Sequence, residues 1–233
     1  MQTDPSKLKG FSKLYVTVAA VFITCLLISN IIAGRLIDVA GYAMTGAVLI
    51  FPITYIFGDV LTEVWGFKRS RLIIWLGFGA NLLMVAIFML LSYMPHPAGF
   101  DTSPYETVLG FTPIAVMASL LGYFCGEFTN SISLSIIKKK TKGKHLWIRT
   151  IGSTVLGEGV DTVIFITIAF GVGMGLPLTV IGQMILLQYV IKTSYEILAT
   201  PLTYRVVNYI KRKEQTDIYD YGIDYNPFDI KEI

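Results

Sequence analysis

The sequence predicts an all-α polytopic membrane protein, a bundle of six transmembrane helices with both termini in the cytoplasm. Three observations predict it. Charged residues make up only 15% of the 233-residue chain and hydrophobic residues 54%, with a mean hydropathy of +0.63, whereas soluble domains carry about a quarter charged residues. The apolar residues come in long runs, and a hydrocarbon core needs about 20 apolar residues per spanning helix. Lysine and arginine gather in alternate connections between those runs, the pattern that orients membrane proteins. The net charge of +3 says little without that placement.

The spans are expected at about 14–34, 43–65, 71–94, 112–136, 148–172 and 179–209. The first run is long enough to cross a bilayer and lacks a convincing cleavage signature, so it reads as a span rather than a leader. Lys7, Lys9 and Lys13 precede it. Pro52 should kink the second span, and the basic loop FKRSR, with Lys68, Arg69 and Arg71, should join the second to the third. PHPAGFDTSPYETVLGFTP, about 95–113, reads as an outer loop or short interfacial helix. Ala118, Gly122 and Gly126 form a ladder of small residues on the fourth span, allowing close helix approach. Lys138, Lys139, Lys140, Lys142, Lys144 and Arg149 flank the connection to the fifth. Pro201 should kink the sixth, which closes with Arg205, Lys211, Arg212 and Lys213. The intervening connections are nearly free of basic residues, Arg35 excepted, and an odd span count would spoil the alternation. The whole chain reads as one membrane domain. Its tail, 211–233, is too short and polar to fold alone, though its aromatics could dock under the bundle.

Polar residues inside the spans point to function. A charge near the middle of a lone spanning helix costs roughly 2.5–3.5 kcal/mol on insertion scales, so it must face a cavity, pair, or take a proton. Asp59 and Glu63 stand four apart; Glu127, Asn130 and Ser131 follow i, i+3, i+4; Glu158 and Asp161 are three apart; Gln188, Lys192 and Glu196 are spaced by four. Each set makes one stripe on its own helix, and four single stripes suit a bundle with a polar centre. Gln183, Asn30 and Asn81 add polar groups in the sixth, first and third spans. Some of these have simpler roles available. Glu63 lies five residues before Lys68 and can sit at the cytoplasmic interface, with Asp59 one turn deeper. Asn30 and Asn81 can be helix-packing hydrogen bonds. Lys192, the one deep cation, needs a carboxylate partner.

The carboxylates outnumber that cation, so some must be protonated, solvated or met by a ligand rich in N–H donors. Tyr55, Phe124, Phe128 and Tyr189 offer flat faces for a ring, or simply fill the core. The segments GDVLTE and GEFTNS, each followed by a basic stretch, echo one another as repeated units of transporters do. Cys25 and Cys125 lie in apolar runs and read as small buried hydrophobes, and His96 and His145 belong to no ligand or catalytic set. The lack of a phosphate-binding glycine loop argues against ATP hydrolysis by this chain. The lack of HExxH and of a Ser/His/Asp set argues against a membrane enzyme, for which paired carboxylates holding Mg²⁺ would be the remaining route. No metal or cofactor is expected.

Four segments carry a family resemblance: FPITYIFGDVLTEVWG, GEFTNSISLSIIKKKTKGKHLWIRTIGSTVLGEGVDTVIF, YVIKTSYEILATPLTYRVVNYIK and the tail DIYDYGIDYNPF. In order and spacing they resemble the bacterial queuosine precursor transporters, also called the vitamin uptake transporter family, from about residue 14 to 228. Ile223 departs from the pattern, where a polar residue is expected. The resemblance implies import of a 7-deazaguanine (the 7-cyano or 7-aminomethyl base, or queuine) across the inner membrane for salvage into transfer RNA, with no direct contact to nucleic acid. It implies a six-helix layout like that of the vitamin-binding subunits of energy-coupling-factor transporters, and service as such a subunit with an ATP-driven partner is the alternative to secondary transport. Asp59, Glu63, Glu127, Asn130, Glu158, Asp161 and Lys192 stand at its motif positions, with Glu196 one turn on; some are expected to hold the amidine edge of the base and others to support them. Asn30, Asn81 and Gln188 complete the candidate set. Proton coupling and a homodimer are both compatible with this layout.

Overall fold

The computed structural model describes residues 10–32, 35–39, 42–109, 113–173 and 175–229; Lys7 and Lys9, counted above before the first span, lie outside them. Among the described residues the elements run α1 (Lys13–Ile32), β1 (Leu36–Val39), β2 (Tyr42–Thr45), α2 (Phe51–Ser92), α3 (Ser103–Leu109), α4 (Pro113–Lys140), α5 (Leu146–Ile166) and α6 (Leu178–Glu214). A 3₁₀ turn, Gly46–Leu49, leads into α2, and a π-helical turn, Thr167–Val172, extends α5. Among the described residues three stretches are long and apolar enough to cross a membrane: Lys13–Ile32, Ile53–Ser92 and Leu146–Val172.

The largest departure from expectation is α2. It carries both the second and third expected spans, and the chain reverses between them at Gly66, whose φ of 82° and ψ of 168° are not helical. Thr62 Oγ1 and Ser70 Oγ lie 2.8 Å apart, although eight residues of unbroken helix would separate them by about 12 Å. The two arms therefore fold back on one another about a single glycine, the residue that takes a positive φ without steric cost. FKRSR is not a loop: Lys68–Arg71 form the first turn of the second arm. Pro52 does not kink a span either. It stands in the first turn of α2, where its missing N–H is no loss. The expected start of span two at 43 is instead the antiparallel β1–β2 hairpin, with Leu36 opposite Thr45 and Val39 opposite Tyr42. Pro201 lies inside α6, which continues past it to Glu214.

The core explains how the helices are held. Tyr15, Phe22 and Leu26 of α1 bury against Leu61, Val64, Trp65 and Ile74 on both arms of α2. Phe124 and Phe128 belong to an aromatic chain, 5.1 Å from Trp75 to Phe124, 4.8 Å on to Phe128 and 6.3 Å on to Phe67. They pack edge to face within the aromatic core. The small residues of α4 act as the ladder predicted. A Cβ on Gly157 of α5 would fall 2.8 Å from the Gly126 carbonyl oxygen and 2.7 Å from Asn130 Cβ, so α4 and α5 touch backbone to backbone. Ion pairs and hydrogen bonds bring the start of α1, the Gly66 reversal, the end of α4, the start of α5 and the end of α6 to one end of the bundle.

The tail docks at that end, as its aromatics suggested. Trp75 Nε1 donates to the Pro227 carbonyl and Arg71 to that of Asn226, both at 2.8 Å. Tyr225 packs on Phe67 with centroids 5.2 Å apart. Ile223, the departure from the family pattern, is half-buried against the apolar core, which accounts for an apolar residue there.

Candidate functional site

The polar stripes converge as their spacing predicted. GDVLTE of α2 and GEFTNS of α4 lie face to face and run in the same direction. Asn130 Nδ2 donates to Asp59 Oδ1 at 2.8 Å, Thr62 and Ser131 hydroxyls meet at 3.0 Å, and a Cβ on Gly58 would collide with Glu127 Oε1. The echo between the two segments is thus a contact between two similar helical faces. Gly58 is the residue that leaves room for Glu127.

From the other side, α5 and α6 contribute an ion triad. Lys192 Nζ sits 2.9 Å from Asp161 Oδ2 and 3.0 Å from Glu158 Oε2. Glu158 and Asp161 in turn lie within electrostatic reach of Glu127, as Glu127 and Glu196 do of Asp59. Tyr55 borders the same charges. Gln188 is buried one turn from Lys192. Eight candidates therefore come together: Asp59, Glu127, Asn130, Glu158, Asp161, Gln188, Lys192 and Glu196.

This cluster is rich in acceptors and poor in donors. Asp59, Glu127, Asn130, Glu158 and Glu196 are each at most 1% exposed. Five acceptor atoms have no hydrogen-bond donor among the described residues: Asp59 Oδ2, Glu127 Oε1, Asn130 Oδ1 and both oxygens of Glu196. A buried acceptor left unmet costs about 1–3 kcal/mol, and a charged one more. The arrangement can therefore bind a flat, donor-rich molecule, or take up protons. The Thr154 and Thr162 hydroxyls are also buried and without a partner among the described residues. They stand four residues before Glu158 and four after it, so their i±4 spacing could have added them to the stripe.

Three candidates lie elsewhere. Asn30 and Asn81 form a closed clasp with Ser119: Asn30 Nδ2 donates to Asn81 Oδ1 at 2.6 Å, Ser119 to Asn30 Oδ1 at 2.5 Å, and Asn81 Nδ2 to the Gly77 carbonyl at 2.9 Å. Glu63 is engaged at the bundle's end. Arg149 grips it with two bonds, Nε to Oε2 at 2.6 Å and Nη2 to Oε1 at 2.7 Å, Lys211 binds the same Oε1, and Lys138 lies 3.7 Å away. No local sequence pattern marks these partners, which lie 75 to 148 residues away. Among the described residues no three His, Cys, Asp or Glu side chains are arranged to hold a metal ion.

The model of a family described as putative vitamin uptake transporter matches residues 45–206. The chain is similar to a Bacillus subtilis (strain 168) protein named probable queuosine precursor transporter, 26% identical over 211 residues that cover 89% of this chain and 90% of the other. It is also similar to an Escherichia coli (strain K12) protein named queuosine precursor transporter, 23% identical over 142 residues, 61% of this chain and 62% of the other. No solved structure matches it.

Proposed function

The chain belongs to the putative vitamin uptake transporter family, and from that membership we propose that it imports a queuosine precursor, a 7-deazaguanine base, by secondary transport. The family is one of transporters, so nothing catalytic is asked of the buried carboxylates. The observation that carries the proposal is the central cluster, where Asp59, Glu127 and Glu196 keep acceptor atoms without donors in the described structure. A guanine-like base presents parallel N–H donors on its amidine edge, which suit the two oxygens of one carboxylate, and a further N–H on its five-membered ring. Asp59 and Glu196 are proposed to take the amidine edge, with Glu127 and Asn130 beside them. Lys192, Glu158 and Asp161 form the supporting ion triad, and Gln188 completes the lining.

In the membrane we propose six spans in one domain, the two arms of α2 counting separately. The inner membrane then holds the bundle with both termini in the cytoplasm. The end of the bundle bearing Lys138, Arg149 and Lys211 faces inward, in line with the positive-inside rule. Protons are proposed to occupy the carboxylates when the base is absent, since uncompensated charge at that depth is costly.

Uptake by the purified chain in liposomes tests the proposal. The 7-aminomethyl base should enter without any partner protein, faster with an inward proton gradient, and with the 7-cyano base and queuine as competitors. No uptake of any of the three, or uptake only with an added ATP-driven partner, would overturn secondary transport.

A further inference from the structure

We propose that the tail segment 217–226 is a latch on the inward end of the transport path, holding shut the break in α2 and lifting to let substrate leave; this rests on the transport function proposed above. A helix break leaves N–H groups at one cut end and carbonyls at the other without partners. At Gly66 the tail supplies both. The Phe67 N–H donates to the Asp220 carboxylate, 3.1 Å from Oδ1 and 3.0 Å from Oδ2, and Ile218 N–H donates to the Val64 carbonyl at 3.2 Å. Asp220 thus caps the second arm of α2 as an N-terminal aspartate would, but from 153 residues away. A cap beside the helix in sequence stays with it. One borrowed from a tail can leave.

The fit at the break is close. A Cβ on Gly66 would fall 2.7 Å from both Asp220 Oδ1 and Ile218 Cγ2, so the tail seats on bare backbone. Ser135 donates to Asp220 Oδ2 at 2.6 Å and meets the Tyr225 hydroxyl at 2.8 Å; Lys138 Nζ reaches Asp217 Oδ1 at 2.7 Å and the Ile218 carbonyl at 2.6 Å. These hydrogen bonds can be remade with water once the tail lifts, whereas Ile218, Ile223 and Tyr225 are the packed contacts that lifting must part.

Position makes the latch a gate. Ser131 is one turn beyond Glu127 on α4, and Ser135 one turn further. The hydroxyls of Thr62, Ser70 and Ser131 form the layer beneath the central cluster, and the tail lies beneath that layer, against Phe67 and Ser135. A molecule leaving toward that end meets the tail last.

The test uses a cysteine pair, Lys139→Cys with Tyr225→Cys, at positions where the lysine now lies 4.5 Å from the tyrosine ring, with Cys25 and Cys125 replaced by alanine. A short bifunctional thiosulfonate joins the pair, and a reductant frees it. In proteoliposomes the joined protein should take up the 7-aminomethyl base at least tenfold more slowly than the freed protein, with recovery on reduction. Equal uptake in both states would overturn the latch. A second measurement needs no transport. Spin labels at Lys140→Cys and Tyr221→Cys, both exposed, should gain a longer distance when Asp220→Ala is added, and an unchanged distribution would equally overturn it. If the labels separate while the freed pair takes up nothing, the latch stands as a mobile cap and the proposed transport function is what fails.

Discussion

Asp59 and Glu63 stand one turn apart on one helix, and neither is exposed at all, yet the fold treats them oppositely. Glu63 is gripped by Arg149 and Lys211 with Lys138 close by. Among the described residues Asp59 has one hydrogen bond, from Asn130, and like charges for neighbours. The difference separates two uses of a buried carboxylate. At the bundle's end the charge is matched by the chain itself, and the network ties α2, α4, α5, α6 and the tail together. In the centre Lys192 matches Glu158 and Asp161, while Asp59, Glu127 and Glu196 keep acceptor atoms without donors among the described residues.

The sharpest way to break that contrast is Glu63→Gln. It leaves Arg149, Lys138 and Lys211 facing a neutral amide in a buried site, and removing one partner of a buried ion network costs about 3–5 kcal/mol. Denaturant unfolding in detergent should show a loss of that order, with less protein recovered from the membrane. An unchanged midpoint would mean that Glu63 is not a structural anchor. Asp59→Asn should behave in the opposite way. It replaces a carboxyl that has no cation beside it with an amide of the same size, so stability should hold within about 1 kcal/mol. Affinity for the 7-aminomethyl base and its uptake should fall by about tenfold to a hundredfold, equivalent to about 1.4–2.8 kcal/mol. Glu196→Gln should follow Asp59→Asn. If either neutral variant binds normally, the central cluster is not the binding site.

This contrast was only half legible in the sequence. The stripes were, because positions three and four apart share a helical face whatever the helix packs against. The four stripes do meet, and the GDVLTE and GEFTNS segments that looked alike pack on each other. Partners of the stripes were not legible. In sequence Glu63 reads as an interfacial residue because its nearest basic residue is Lys68, but the cations that hold it arrive from three other helices. The reversal at Gly66 was hidden for a related reason. FKRSR is basic enough to resemble a loop, and the backbone groups freed at the one-residue turn find their partners in Asp220 and Ile218, far off in sequence. The β1–β2 hairpin is hard to tell from the start of a span because an apolar run as short as YAMTGAVLI does not reveal its own periodicity.

Asn81→Ala sharpens the comparison from the structural side. Asn30, Asn81 and Ser119 satisfy one another across α1, α2 and α4, so they resemble Glu63 in being matched within the protein. The substitution should cost about 1–3 kcal/mol by leaving Asn30 without its acceptor, and affinity for the base should be unchanged. A loss of affinity equal to that of Asp59→Asn would move the site toward the clasp.

The smallest expected effect concerns Asp220, whose charge is neither fully matched nor left open. Burial pushes its carboxyl above the usual range, and hydrogen bonds from Ser135 and Phe67 N–H, with Lys138 and Lys139 nearby, pull it part of the way back. A raised acid pKa means that the docked tail holds the proton more tightly than the lifted tail does. Docking is therefore favoured at pH values below the lifted tail's pKa, about 3.9 for a free aspartate. That advantage is lost as pH rises through the higher docked value. The Lys140–Tyr221 label pair should report a growing long-distance fraction on raising pH across that window. Asp220→Asn cannot titrate and should remove that part of the pH response, while contributions from the other charges at the bundle's end stay common to both proteins. The difference between the two titrations isolates Asp220. If they coincide, Asp220 holds the tail through hydrogen bonds alone, and its charge plays no part in docking.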